Sequence, residues 1–326
     1  MAKRYDVVAL GELLIDFTGS GLSEQGNPLF EANPGGAPCN VLSMLCRLGR
    51  RTAFIGKVGR DGFGMQLEGV LKDVGIDTRG LCWDERVHTT LAVVQTLPGG
   101  DRDFSFYREP GADMMLDNGD IVPGLADNCR IFHFGTLSMT HPAPREATHA
   151  AIAAAKESGA LISFDPNLRP PLWHSLEDAA AQMRAGLALC DILKIADNEI
   201  EFLTGENDFD RAAAKLQRAY PNIRILNVTA GADGSYSYSC GQRVYVPGFC
   251  LGGTIETTGA GDTFCASVLD YVLNHGVENL SREQLTEMLR FANAAAYLVT
   301  TRKGAIRSMP EKEQVLRILE GQTRPI

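Results

Sequence analysis

ETTGAGDTFCAS, residues 256–267, sets two glycines directly before an acid and an apolar rhythm directly after it. Phe264, Val268, Leu269, Val272 and Leu273 recur at helical spacing, so a helix opens close to Asp262. The amides of Gly259, Ala260 and Gly261 then stand at its N-terminus, where free N–H groups and the helix dipole attract an anion. A carboxylate in that place does not help to bind the anion. It suits a general base that strips a proton from an attacking hydroxyl, while the fixed amides meet the charge that develops. Base and amides together fit phosphoryl transfer, in which a protein mainly positions groups and stabilises charge. The plainer reading is a glycine-rich turn with Asp262 favoured by the dipole alone.

Outward from this stretch, short apolar runs alternate with helical patterns. VVAL (7–10), TAFIGKVG (52–59), IFHFG (131–135), LISFDPN (161–167), DILKIA (191–196) and RILNVTAG (224–231) read as buried strands. Helical spacing appears from Asn40 to Leu48, around 146–158 and 176–189, and at 262–275 and 284–301. Such alternation predicts an α/β fold, a mostly parallel sheet with helices on both faces. TTLAVVQTLPGGDRDFSFYRE (89–109) breaks the pattern, with two β-rich runs joined at Pro98-Gly99-Gly100-Asp101 in a hairpin signature. With the extended residues near 13–18 it predicts a small separate sheet, either an edge hairpin or a flap that excludes water on closing. No repeat, low-complexity tract or linker divides the 326 residues, so a single domain is expected.

Composition narrows the function classes. Hydrophobic residues are 44% and charged residues 22%, as in ordinary globular proteins. A net charge of −9 argues against charge-driven binding to nucleic acid or anionic membrane. The eight cysteines show no C-x-x-C pair, and the six histidines no ligand spacing, so both read as packing or surface residues in a reduced compartment. The first residues, MAKRYDVVALGELLIDF, lack a long apolar core of the signal-peptide kind, and no run reaches membrane-span length. A cytoplasmic location is the expectation.

Neither G-x-x-x-x-G-K-[ST] nor a G-x-G-x-x-G after a strand is present, so a phosphate-transfer enzyme here needs another layout. The opening stretch resembles the second signature of the ribokinase-like (PfkB) carbohydrate kinases. GGAPCNVLSMLCRLG (35–49) running into IGKVGRDGFG (55–64) resembles their first signature, and NEIE (198–201) their N-x-x-E motif. Within the family GELLIDF, GGAPCN, DPNLRPPLW and TTRKGAI look most like fructokinases. The resemblance covers nearly the whole chain. It implies a three-layer α/β/α fold with a small β-sheet lid formed from about 12–34 and 88–112.

It also implies roles, residue by residue. Asp262 matches the catalytic base acting on a sugar primary hydroxyl, and Gly259, Ala260 and Gly261 the anion hole. Asp16, Gly35, Gly36 and Asn40 match sugar-contacting positions; taken alone, Asp16 reads as a turn or capping residue, the glycines as a turn, and Asn40 as a helix cap. Arg108, in FSFYRE, is expected on the sugar, against a solvated strand charge. Arg169 has three readings: a substrate carboxylate, nucleotide phosphates or a structural ion pair. Asn198 and Glu201 imply Mg2+ held through water beside the phosphates, as a hard cation prefers, and Lys194 nearby is placed to neutralise phosphate charge. Thr229, Gly231, Gly234, Asn293, Lys303 and Gly304 resemble the ATP-side strand, turn and wall, although Asn293 also reads as a helix residue satisfied by backbone. Where the family usually has Asp in a loop that often binds a monovalent cation, this chain has Glu256, and the extra methylene is expected to shift or remove a K+ site.

The sequence therefore predicts an ATP- and Mg2+-dependent sugar kinase, making fructose 6-phosphate from fructose, with 2-keto-3-deoxygluconate kinase as the nearest alternative. A nicotinamide dehydrogenase lacks its glycine fingerprint here, and a non-catalytic sugar binder has no use for a base beside an anion hole. Lids of this family pair between subunits in some members, which makes a homodimer an expectation.

Overall fold

A computed structural model describes residues 3–96 and 102–321. The Pro98-Gly99-Gly100-Asp101 turn lies outside the described residues. The chain opens with β1 (Tyr5–Leu10), leaves for a hairpin of β2 (Leu14–Leu22) and β3 (Pro28–Gly35), and returns through α1 (Ala37–Arg47) to β4 (Thr52–Gly59). There follow α2 (Gly62–Val74), β5 (Asp77–Asp84), β6 (Leu91–Thr96) and β7 (Arg102–Tyr107). The next stretch alternates β8 (Cys129–Phe134), α3 (Pro142–Glu157), β9 (Leu161–Phe164), α4 (Leu176–Leu189) and β10 (Ile192–Ala196). Then come α5 (Asp197–Thr204), α6 (Phe209–Ala219), β11 (Ile225–Thr229) and a hairpin of β12 (Ser235–Ser239) and β13 (Gln242–Val246). The last elements are α7 (Ala260–His275), α8 (Arg282–Thr300) and α9 (Lys312–Leu319).

Among the described residues these strands form two sheets. The larger has nine strands in the order β13-β12-β11-β10-β9-β8-β1-β4-β5, parallel from β11 to β5 and antiparallel at the β12–β13 edge. The smaller has four, in the order β3-β2-β6-β7. Both faces of the large sheet are covered, which is why its central strands are apolar throughout rather than alternating. In β1, Val7 and Ala9 join a core shared with α1, α7 and α8, while Val8 and Leu10 join one shared with α3 and α4.

Winding runs from β1 through β4 to β5 on one side, and the chain then crosses to β8 on the other side of β1 and continues to β11. The order reverses between β1 and β8, and a crevice forms outside the carboxyl ends of strands at such a point. Helix ends follow local chemistry. α1 starts three residues before Asn40, because Pro38 fits a first turn that needs no internal N–H donor. It stops before Gly49, whose φ of 79° suits glycine.

Packing is tight under the crevice. Phe134 and Phe164 stack with centroids 4.7 Å apart. Gly186 of α4 lies so close that an added Cβ would sit 2.4 Å from the Phe164 ring. Gly186→Ala is therefore expected to destabilise the fold by about 1–3 kcal/mol through overpacking, measured by urea denaturation. An unchanged midpoint would show that the ring yields.

Candidate active site

A cavity of about 550 Å3 lies at the predicted crevice. Glu12, just past β1, Leu137, past β8, and Asn167 and Arg169, past β9, form one side. Leu14 and Asp16 of β2 and Phe106 of β7 form the side that belongs to the smaller sheet. Gly36, Ala37 and Asn40 at the start of α1, and residues 254–259 together with Gly261 and Asp262, supply the remaining walls.

Asp262 sits in the first turn of α7, which begins at Ala260, two residues ahead of the acid. Gly259 is the N-cap with φ 79°, and a Cβ there would meet that of Ala305 at 2.9 Å, so only glycine fits. The first four amides of a helix have no partner inside it. Of the three amides predicted to face an anion, that of Ala260 donates to Thr257 O at 3.2 Å, while Gly259 and Gly261 line the cavity. The Asp262 carboxylate is buried, and Asn40 Nδ2 donates to its Oδ2 at 2.7 Å. Burial pushes its pKa upward, opposed by the bonds from Asn40 and Asn167 and by the charges of Lys194 and Arg169.

Beneath this turn lies a buried ionic cluster. Lys194 Nζ is 3.1 Å from Asp165 Oδ1, and a Cβ built on Gly261 would come within 3.1 Å of the same nitrogen. Lys194 is held charged and its pKa raised, against its own burial, by the acids Asp165, Glu199 and Asp262. Burial lifts Asp165 to about 7, the Lys194 charge opposing and Glu199 and Asp262 adding to the rise. Glu199 accepts from Leu168 N at 2.7 Å and Ala196 N at 2.8 Å, which ties the β9 and β10 exits together.

The predicted sugar residues gather, with one departure. Asp16 lines the cavity, and a Cβ on Gly35 would strike its Oδ2 at 2.2 Å. Gly36 has φ 127°, and a Cβ there would meet Glu12 O at 2.5 Å, so the glycine pair is fixed by the close pass of the segment from Glu12 to Asp16. Asn40 lines the cavity beside Asp262. Arg108 does not. It follows β7 rather than lying on it, and its buried guanidinium donates to Asp113 Oδ2, Thr140 Oγ1 and Leu137 O at 2.8–3.0 Å. Arg169 lines the cavity and donates to Leu168 O at 3.1 Å.

The remaining predicted nucleotide residues do not line this cavity, although Gly304 touches its wall at Glu256. Asn198 and Glu201 are exposed on α5, and Thr229 ends β11. Gly231 is exposed, and Gly234 is set by backbone: a Cβ there would lie 2.2 Å from Val246 O. Asn293 is buried, donating to Val246 O and Pro247 O at 3.1 and 3.2 Å and accepting from Ser235 Oγ at 2.9 Å, so its amide is satisfied by the hairpin and its neighbours. Lys303 is exposed, and Gly304 N donates to Glu256 Oε1 at 2.8 Å.

Four residues were not singled out from sequence: Glu12, Asp165, Asn167 and Glu199. Asn167 lines the cavity with φ 49°, a conformation asparagine tolerates better than most. Its place in DPNLRP, two residues before Arg169, is the signal that was available. Among the described residues no helix is long and apolar enough to cross a membrane.

Known proteins match this arrangement along the whole chain. Residues 4–312 match the model of the pfkB family carbohydrate kinases. Fructokinase-2 of Solanum habrochaites is 41% identical over 317 residues, 97% of this chain and 96% of that protein. Fructokinase-1 of Zea mays is 40% identical, covering 98% of this chain and 99% of that one. Among solved structures, the ATP-bound fructokinase of Xylella fastidiosa superposes with a TM-score of 0.88 at 30% identity, over 98% and 99% of the two chains. The fructokinase of Vibrio cholerae O395 with fructose, ADP and calcium ion bound superposes at 0.85 and 30%, over 97% and 99%. The topology around the β1–β8 crevice and these full-length likenesses lead to one conclusion: the chain belongs to the pfkB family of carbohydrate kinases.

Proposed function

We propose that the protein transfers the terminal phosphoryl group of ATP to the primary hydroxyl of D-fructose, giving fructose 6-phosphate, with Asp262 as the general base. The observation that carries this reading is the buried Asp262 carboxylate at the start of α7, facing a cavity whose other walls hold Asp16 and Asn40. Asn40 Oδ1 is buried and has no partner among the described residues, which suits a sugar hydroxyl as its donor. Asp16 supplies carboxylate acceptors for further hydroxyls. Relatives support the substrate: one solved structure is described with fructose and ADP bound, another with ATP.

In the reaction, ionised Asp262 takes the proton of the primary hydroxyl, and that oxygen attacks the terminal phosphorus as its bond to the ADP oxygen breaks. Amides at the start of α7 and the buried ammonium of Lys194 stabilise the charge on the moving group. Asn198 and Glu201 offer oxygens on an exposed helix, a donor set that fits a hydrated magnesium ion rather than a closed cage. Magnesium, when bound, neutralises charge on the phosphates. Glu256 already carries the Gly304 hydrogen bond, so a potassium site there is a secondary expectation. Arg108 holds the Asp113 and Leu137 segments together, and a contact with the sugar would require it to leave these partners. Arg169 is then the cavity-lining cation that a carboxylate-bearing substrate such as 2-keto-3-deoxygluconate would require.

An ATP-consumption screen with fructose, 2-keto-3-deoxygluconate, ribose, tagatose and adenosine tests the assignment. Fructose is expected to give the highest kcat/KM; preference for the acid would move Arg169 to the centre of recognition, and no turnover with any acceptor would refute the kinase reading.

We further propose that the smaller sheet acts as a lid and as the contact of a homodimer. Leu22, Leu29, Phe30 and Tyr107 of this sheet are exposed, at 68, 45, 49 and 65%, and exposed large apolar side chains of this kind are what an interaction surface would cover. Phe30→Glu is expected to convert a dimer to a monomer in sedimentation velocity. A monomeric wild type would dismiss the interface.

A further inference from the structure

α1 has an N-terminus that cannot cap itself. Its N-cap is Gly36, which has no side chain to offer, and neither φ 127° nor the 2.5 Å approach to Glu12 O leaves room for one. Serine, threonine or aspartate, the residues that satisfy the first amides of a helix, are therefore shut out at this position. The missing acceptor comes from another element: Glu12 Oε1 accepts from Ala37 N at 2.8 Å, across 25 residues of chain. The first turn so fixed carries Asn40, whose N donates to Gly36 O at 3.0 Å and whose Nδ2 donates to Asp262 Oδ2 at 2.7 Å.

We infer that Glu12 is a positioning residue: by capping α1 from the turn after β1 it sets Asn40, and through Asn40 the orientation of the Asp262 carboxylate. The inference rests on Asp262 being the base. Glu12 is 4% exposed and lines the same cavity, so its carboxylate is held at that depth for the helix dipole and the Ala37 amide to stabilise. Around it stand Asp113, Arg108 and the Cys39 thiol, and burial lifts its own pKa to about 7. The Arg108–Asp113 pair, 2.7 Å apart, stands beside Glu12.

The test combines Glu12→Ala, Glu12→Gln and Asn40→Ala in a double-mutant cycle on the full-length enzyme. Glutamine keeps an acceptor oxygen for Ala37 N–H, so Glu12→Gln is expected to retain most of the turnover, while Glu12→Ala lowers kcat roughly 10- to 100-fold by misplacing the base. In the Asn40→Ala background Glu12→Ala is expected to add little, because both act along one path. The pH profile is a second readout. Asp262 is faced by Lys194, Arg169, Asp165 and Cys265, none of which these variants alter. Losing the Asn40 donor favours the protonated carboxyl, so the acid limb of kcat should move to higher pH in Glu12→Ala and Asn40→Ala alike. Multiplying losses in the double variant, or an unmoved acid limb in Glu12→Ala, would overturn the inference. Should Glu12→Ala fail to fold, an unshifted limb in Asn40→Ala, or a Glu12→Gln loss as large as that of Asn40→Ala, overturns it instead. Asp262→Asn as a control separates the two claims: full activity there defeats the base assignment, whereas additive Glu12 and Asn40 effects with an inactive Asp262→Asn defeat the positioning role alone.

Discussion

Asp262→Asn is expected to lower kcat at least ~10²-fold, the lower end of what a general base contributes, with little change in the KM for sugar. Asparagine keeps an oxygen to accept the 2.7 Å bond from Asn40, so the wall of the cavity holds while the proton acceptor is gone. The wild-type pH profile should carry the same information. Burial raises the Asp262 pKa above its ordinary value, and a base works only when ionised, so turnover falls as pH drops through that raised pKa. The stability consequence has the opposite sign. A folded-state pKa above the unfolded one means that the folded protein binds the proton more tightly, so this carboxylate contributes least at neutral and alkaline pH. Asp262→Asn should thus melt at or above the wild-type temperature near pH 8, with the gap closing towards acid. Near-normal turnover in the purified variant would defeat the base assignment. A clear loss of Tm at pH 8 would show that the carboxylate is held for structure.

The fold was legible where strands are buried on both faces, because helices on each side demand unbroken apolar runs such as VVAL and TAFIGKVG. It was not legible in β12 and β13, an antiparallel edge pair whose serines and tyrosines mix apolar and polar residues. Nor was it in α2, whose Gly62, Gly64 and Gly69 mask the helical period. Asp262 and the glycines before it were readable because a helix N-terminus has local rules: a turn, an acid, then an apolar period. Arg108 and Asn293 show the limit. Sequence carries residue type but not the partner, and only the fold brings Asp113 and Thr140 around the arginine and the ends of β12 and β13 around the asparagine. Glu12 was hidden for the same reason, since the amide it caps lies 25 residues away.

Removing the cation under the first turn of α7 should have the largest effect on the protein as a whole. Lys194→Met keeps the length of the side chain and deletes its charge, leaving Asp165 with Glu199 and Asp262 as acidic neighbours. The side chains of Lys194 and Asp165 are 6% and 1% exposed, and stripping one partner from such a pair typically costs about 3–5 kcal/mol. The cost should depend on pH. Asp165 already stands at about 7 with the lysine in place. Without it the carboxyl rises further and the folded variant takes up a proton that the unfolded chain would not hold. Stability of the variant therefore keeps declining from the ordinary carboxylate range up to that further-raised pKa, past the pH of about 7 where the wild type levels off, and denaturation at pH 6 and pH 8 should show a wider gap from wild type at the higher pH. Asp165→Asn/Lys194→Met removes both members and should recover most of the stability, since a paired loss leaves no uncompensated charge. It should not recover turnover: if the ammonium behind Gly261 steadies the moving phosphoryl group, the double variant folds well and stays slow, with a raised KM for ATP. Activity that returns together with stability would make the pair a structural strut and leave the charge on the phosphoryl group to the amides of α7 alone.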